Sequence, residues 1–186
     1  MEHKRPANQT LPGVLLAGAL CFSCALPGWA NPMTPGASDI DFGYMCAVEA
    51  TGWVEAEDTI SGVVNLVEGD PVFTARTTDI PAMIGVEFGV FVQVTPEFEG
   101  VSTVHVDHPP QGEYGIIHET WEQEFWSDEQ TYVGFVFEYD YELTPGEWIM
   151  SARRDGTLVY EVRFNVVSPD ELPVALLDCG ASPHMS

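Results

Sequence analysis

Residues 139–167 read YDYELTPGEWIMSARRDGTLVYEVRFNVV, and this stretch decides the fold class. From position 160 to 166 apolar and polar side chains alternate, which is the two-residue period of a strand with one buried face and one wet face. Just before that run, Arg154-Asp155-Gly156 suits a tight hairpin turn, because glycine adopts positive φ without strain. The stretch therefore predicts two antiparallel strands joined by a short hairpin.

The segment Leu143-Thr144-Pro145-Gly146-Glu147-Trp148 predicts a corner between two sheets. In immunoglobulin-like sandwiches a tyrosine near such a corner bonds back to the backbone. Here Trp148 takes the aromatic position, so any such hydrogen bond is expected from its indole N–H.

Further strands are predicted upstream, at residues 42–50, 62–67, 73–78, 86–94, 102–108 and 133–139. Pro109-Pro110 is expected to end the strand at 102–108. Residues 111–130 have no readable period and are compatible with strands, a short helix or a long loop. Since no segment shows sustained helical periodicity, the prediction is an all-β, immunoglobulin-like antiparallel β-sandwich of about seven strands.

Several short motifs occur in a characteristic order along this part of the chain. They are Ile80-Pro81, Gly85 with Phe88-Gly89, His108-Pro109-Pro110, Tyr141-Glu142-Leu143 with Pro145-Gly146-x-Trp148, and Phe164-x-Val166-Val167. As an ordered set they resemble the bacterial domain-of-unknown-function family 3859, over roughly residues 42–167. The resemblance implies an exported or envelope-associated domain without an assigned activity, so it transfers no catalytic residue.

The N-terminal 30 residues have the pattern of a signal peptide. Lys4 and Arg5 precede an apolar run at residues 14–26, and small residues at Gly28 and Ala30 suit cleavage after Ala30. The run is too short and broken for a membrane span, and the residues before Cys21 and Cys24 do not suit lipidation. We therefore expect a periplasmic or secreted protein without membrane insertion after cleavage. It would have a flexible leader at 31–41, a domain at 42–167 and a tail at 168–186.

The expected mature chain is strongly acidic. Loss of residues 1–30 removes one of the 29 acidic residues and two of the six basic ones, which leaves a net charge of −24. Such a surface repels phosphate backbones and anionic lipids, so nucleic-acid binding is disfavoured. The charge is explained either by solubility, for example in a salty habitat, or by binding of cations or basic partners.

Cys46 and Cys179 are the two cysteines outside the predicted signal peptide. An even pair in an oxidising compartment predicts a Cys46–Cys179 disulfide that tethers the tail. A metal-ligand pair or free thiols are the alternatives, although two cysteines without companion ligands make a poor zinc site.

Other candidate site residues are weaker. In a strand at 102–108, His105 and His108 would face opposite ways, and no two imidazoles, including that of His118, are expected on one face.

Carboxylates could bind calcium through oxygen, although none matches a calcium loop, and the candidates are Glu119, Glu122 and Asp128. No nucleophile elbow or phosphate-binding loop is present, so no enzyme, catalytic residue or resident cofactor is predicted.

The aromatic and acidic segment 111–130 is the predicted binding surface. Its aromatic residues are either core residues under a loop or an exposed apolar patch with an acidic rim, and they are Tyr114, Trp121, Phe125 and Trp126. Such a patch would suit a basic protein or a glycan. The leading hypothesis is a non-catalytic interaction or structural module of the cell envelope. The sequence does not indicate its oligomeric state. A calcium-binding protein and an uncharacterised hydrolase are the alternatives.

Overall fold

The computed structural model describes residues 32, 34–67 and 71–173. These residues form ten strands and three short 3₁₀ turns, without an α-helix among them. The strands are β1 Ala37–Cys46, β2 Gly52–Glu55, β3 Val63–Leu66, β4 Asp79–Pro81, β5 Val86–Val94, β6 Gly100–Gln111, β7 Ile116–Phe125, β8 Thr131–Val136, β9 Gly146–Arg154 and β10 Thr157–Val167.

The strands form two main sheets and a separate hairpin. One sheet has the order β1-β5-β8, the other has the order β4-β10-β9-β6-β7, and β2 pairs with β3 alone. All pairs are antiparallel except β4 with β10, which run parallel. The predicted all-β, immunoglobulin-like sandwich is confirmed, with ten strands instead of about seven.

The core lies between the two main sheets and is built by alternating side chains. Along β5, Val86, Phe88, Val90, Val92 and Val94 are fully buried, as expected for a central strand between two neighbours. Each such side chain contributes on the order of 1.5–3 kcal/mol when it leaves water. The period-2 pattern in the sequence therefore located this core correctly.

The corner and the hairpin that the sequence predicted are both present. The indole N–H of Trp148 donates to the carbonyl oxygen of Thr144 at 3.1 Å, which is the backbone bond that tyrosine makes in other sandwiches. In the hairpin between β9 and β10, Asp155 has φ +48° and Gly156 has φ +77°. Two successive positive φ values match the strand twist of a two-residue hairpin.

Two segments near the N-terminus differ from the prediction. Strand β1 begins at Ala37, so residues 37–41 belong to the sheet and not to a flexible leader. Residues 73–78 do not form a strand; they make a single bridge, in which Ala75 pairs with Tyr44. Phe73 is buried by packing against an aromatic side chain and not by strand pairing, since its ring centroid lies 5.1 Å from that of Phe91.

Strand β6 does not end at Pro109-Pro110, as the sequence predicted, but continues to Gln111. The pairing of β6 with β7 shifts register between Asp107 and Gln111, so the two prolines fall in an irregular stretch where their missing N–H groups interrupt no regular ladder. Strand β7 fills the unreadable segment. Its inward positions include Glu119 and Gln123. Because these side chains are polar, the sequence of β7 lacks the usual alternation of apolar and polar residues.

The predicted signal peptide at 1–30 and Cys179 lie outside the described residues. The signal peptide and the Cys46–Cys179 disulfide therefore stay predictions. No helix in the described part of the chain is long and apolar enough to cross a membrane.

Candidate functional site

A cavity of about 400 Å³ lies beside the β2–β3 hairpin. Ligand sites in proteins typically occupy about 300–1,000 Å³, so the volume is sufficient for a side chain or a short segment. All six residues of β8 line it, together with residues 63–67, which include β3. We call it the hairpin cavity.

Two strand edges meet this cavity without pairing to each other. Among the residues that the structure describes, β8 pairs with β5 on one side only, and β3 pairs with β2 on one side only. The β8 sequence, TYVGFV, contains neither a charge nor a proline, which are the usual protections of an edge strand against pairing with another chain. The β2–β3 hairpin lies across the cavity from this edge and does not pair with it.

The hairpin is attached to both main sheets. On the β7 side, the backbone N–H of Thr120 donates to the carbonyl of Asp58 at 3.1 Å, and the N–H of Ile60 donates to the Glu119 carboxylate at 2.7 Å. On the β8 side, the Asn65 amide donates to Glu138 at 3.3 Å. These contacts hold the hairpin across the open side of the sandwich.

Four carboxylates line the hairpin cavity, contributed by Glu87, Glu119, Glu138 and Glu142, and none of its lining residues is Lys, Arg or His. Burial raises the pKa of Glu142, and the neighbouring charges of Glu138 and Glu119 raise it further, against two backbone N–H donors that lower it. Burial also raises the pKa of Glu87. The cavity is thus rich in negative charge that water solvates poorly.

Glu119 and His108 form the buried polar centre of this region. His108 Nε2 lies 3.1 Å from Glu119 Oε1, and the two side chains are 0% and 5% exposed. The Nδ1–H of His108 donates to the carbonyl of Pro109 at 2.9 Å, so a proton shared by Nε2 and Oε1 completes the pair. The imidazole also packs against Trp148, with ring centroids 4.8 Å apart and the ring planes tilted by 32°. This pair couples the cavity wall to the core.

The remaining lining is mixed, with polar side chains such as Asn65 and Gln123 beside apolar ones. Val48, Ile60, Val64, Val133 and Phe135 contribute hydrophobic surface. An apolar wall beside fixed carboxylates favours a ligand with an aliphatic or aromatic part and a cationic group. Burial, and then the charge of Glu87, raise the pKa of the Tyr132 hydroxyl well above its ordinary value, so this group stays neutral.

The aromatic residues predicted as a binding surface do not come together. Phe125 is fully buried against Tyr160, in line with the core alternative. Trp121 lines the hairpin cavity. Tyr114, at the β6–β7 turn, is 86% exposed, whereas Trp126, just after β7, is 38% exposed. Of the four, only Trp121 belongs to the candidate site.

The carboxylates predicted for calcium are also separated. Glu119 is buried, whereas Glu122 is three positions further along β7 and therefore faces the other way. Asp128 follows β7 and is exposed. Among the described residues, no group of three or more His, Cys, Asp or Glu side chains is placed to hold a metal ion. The calcium hypothesis thus has no geometric support from these residues.

The histidines require one correction. His105 and His108 face opposite sides of β6, as predicted, and His108 is a buried structural residue. However, His105 and His118 do share a face, with ring centroids 5.4 Å apart. The prediction failed because strand β7 was not recognised, so its pairing with β6 could not be used.

The cavity was missed at the sequence level as well. Its carboxylates come from β5, β7 and the turn around Glu142, which are distant along the chain. No sequence signal identified them, because Glu87 stands at a polar position of the alternation in β5 and strand β7 was not recognised.

The chain has similarity to a sequence family and to a solved structure. The sequence model of the family described as Domain of unknown function (DUF3859) matches residues 35–166, which confirms the resemblance carried by the ordered motifs. A crystal structure of an immunoglobulin-like protein from Pseudomonas aeruginosa is similar at 20% identity and a TM-score of 0.46, covering 75% of this chain and 99% of that one. No curated protein matches the chain.

Proposed function

We propose that this chain, which belongs to the family described as Domain of unknown function (DUF3859), is an exported, non-catalytic binding module of the bacterial envelope that takes up an extended basic peptide segment. The observation that carries the proposal is the pair of unpaired strand edges, β3 and β8, at a cavity lined with carboxylates. An extended peptide beside β8 would add a strand to the β1-β5-β8 sheet, a common mode of peptide recognition.

Charge and shape define the partner. Lysine or arginine side chains would meet Glu87, Glu138 and Glu142, and apolar side chains at alternate positions would meet Val133 and Phe135. Because side chains alternate along a strand, the matching segment alternates basic and apolar residues. β8 is six residues long, or about 20 Å at about 3.3 Å per residue.

We expect an eight-residue peptide of alternating lysine and valine to bind the full chain, as measured by isothermal titration calorimetry. Glu138→Gln should weaken binding about five-fold, since an exposed ion pair contributes up to about 1 kcal/mol. Glu87→Gln should weaken it at least as much, because Glu87 is buried. Glu113→Gln, in the exposed β6–β7 turn, is the matched control and should leave the affinity unchanged.

Two further arms separate strand addition from general attraction to an acidic protein. A peptide with the same charge and a central proline lacks the N–H at its centre and interrupts the ladder there, so it should bind at least ten-fold more weakly. Binding should also fall as the pH falls through the raised pKa values of Glu87 and Glu142, because protonation removes their charge. Equal affinities for the two peptides, or no binding by either, would contradict the proposal.

Export itself is testable by the mass of the protein recovered from the cell envelope. Cleavage after Ala30 should leave a chain of residues 31–186. In that chain Cys46 and Cys179 should react with a thiol reagent under denaturing conditions only after reduction, because they form a disulfide. An intact N-terminus would refute the export prediction, and equal thiol counts before and after reduction would refute the disulfide.

A further inference from the structure

Two histidines and an aspartate form a chain of contacts on the outer face of the β4-β10-β9-β6-β7 sheet, away from the hairpin cavity. His118 Nδ1 lies 2.7 Å from Asp107 Oδ1, and His118 Nε2 lies 3.4 Å from His105 Nδ1. The three residues come from the paired strands β6 and β7, where Asp107 is directly opposite His118. A regular sheet thus fixes their spacing.

The aspartate determines which nitrogen of His118 is free to accept. Asp107 can only accept when ionised, so the Nδ1–H of His118 donates to it. In the neutral imidazole Nε2 then carries a lone pair, and this lone pair faces His105. A carboxylate behind a histidine in this way is the usual support of a metal-bound imidazole, since it fixes the tautomer and the ring orientation.

The distance between the two facing nitrogens is long for a hydrogen bond and also suits two ligands of one metal ion. Nitrogen donors and acceptors in proteins normally lie about 2.7–3.2 Å apart, and 3.4 Å exceeds that range. Two nitrogens bound tetrahedrally to zinc at about 2.0–2.1 Å are about 3.3–3.4 Å apart. The His105–His118 pair therefore has the span of two ligands of one tetrahedral ion.

We propose that His105 Nδ1 and His118 Nε2 bind a first-row transition-metal cation such as Zn²⁺, with Asp107 as the orienting residue. Two protein ligands leave the other coordination positions to water or to a partner's side chain, and His118 is 45% exposed on its side chain, so they can be reached. Imidazole ligands select Zn²⁺, Ni²⁺ and Cu²⁺ over Ca²⁺ and Mg²⁺. Arg153 on β9 pairs with Thr103 on β6. Its positive charge lies near His105 and opposes binding of the cation.

The test uses metal ions alone, added to the metal-free full chain without an affinity tag. Calorimetry should show one Zn²⁺ site per chain, and Ca²⁺ should not displace Zn²⁺ from it. His105→Gln and His118→Gln should each abolish that site. Asp107→Asn should weaken it by about 10–100-fold, the usual loss when an outer-shell partner of a metal ligand is replaced. His184→Gln, at the C-terminal end of the chain, is the control and should bind as the wild type does.

NMR signals of the histidine rings provide a second measurement, which does not rely on the heat of binding. Zn²⁺ should shift the ring resonances of His105 and His118 and leave those of the buried His108 in place. The proposal is overturned if the wild type binds no Zn²⁺ at millimolar concentration. It is equally overturned if the His105→Gln and His118→Gln variants bind Zn²⁺ as tightly as the wild type, which would assign the ion to carboxylates.

Discussion

Replacement of Trp148 by alanine is expected to lower the free energy of unfolding by about 4–6 kcal/mol. Loss of a buried aromatic side chain to alanine costs about 3–5 kcal/mol, and the carbonyl of Thr144 loses its indole donor, at a further cost of about 1 kcal/mol. Because small domains are stable by only about 5–15 kcal/mol, a large part of the stability would be lost.

The contacts of Trp148 explain the size of this effect. The side chain is fully buried and packs edge-on against Phe88, Phe135 and Phe137, with ring centroids 5.0–5.7 Å apart. The tilted ring of His108 packs against it as well. These neighbours come from β5, β8 and β6 and from the segment after β8. Trp148 itself lies on β9, so its removal leaves a void between the two sheets.

Urea unfolding followed by circular dichroism measures the change, with Trp53→Ala as the matched control. Trp53 lies on β2 and is 61% exposed, so its replacement should change the unfolding free energy by less than about 0.5 kcal/mol. Similar losses in the two variants would contradict the assignment of Trp148 as the centre of the core.

The second large effect is expected for Glu119→Ala, which should cost about 3–5 kcal/mol, the range found when one partner of a buried ion pair is removed. The variant removes the hydrogen-bond partner of His108 Nε2 in the core, and it also releases the N–H of Ile60. The hairpin would lose one of its anchors on β7. Binding of the basic peptide should weaken as well, because the cavity loses a carboxylate.

Two variants give this prediction its controls. Glu119→Gln keeps a side chain of the same size that can still accept the Ile60 N–H, so it should lose less stability than Glu119→Ala. Glu122→Ala removes an exposed carboxylate from the other face of the same strand and should stay within about 0.5 kcal/mol of the wild type. If Glu119→Ala were as stable as Glu122→Ala, the buried pair would not support the fold.

Several elements of this fold could be predicted from local sequence. The strand at Val86–Val94 was placed at its observed ends, since apolar residues dominate it and turn residues bound it. The β9–β10 hairpin was predicted equally well, because Asp155-Gly156 permits positive φ at both turn positions. In these segments the local preference and the final environment agree, so a short window of sequence contains the necessary information.

Strand β7, which could not be read from the sequence, and the end of β6, which was misplaced, have environments set by distant parts of the chain. β7 has carboxylate and amide side chains at inward positions, and Glu119 is tolerated there because His108 and Ile60 provide partners. β6 passes through two prolines because its partner strand shifts register at that point. Neither compensation can be read within the segment that needs it.

By itself, the sequence determined an acidic, all-β sandwich of this family and the position of its core, because alternation, turn residues and motif order are local properties. Only the tertiary structure decided that Glu87, Glu119, Glu138 and Glu142 share a cavity, that β3 and β8 leave unpaired edges beside it, and that His105 meets His118. The physical reason is strand pairing. It brings together residues that are far apart along the chain, and the register that does so depends on the whole sheet.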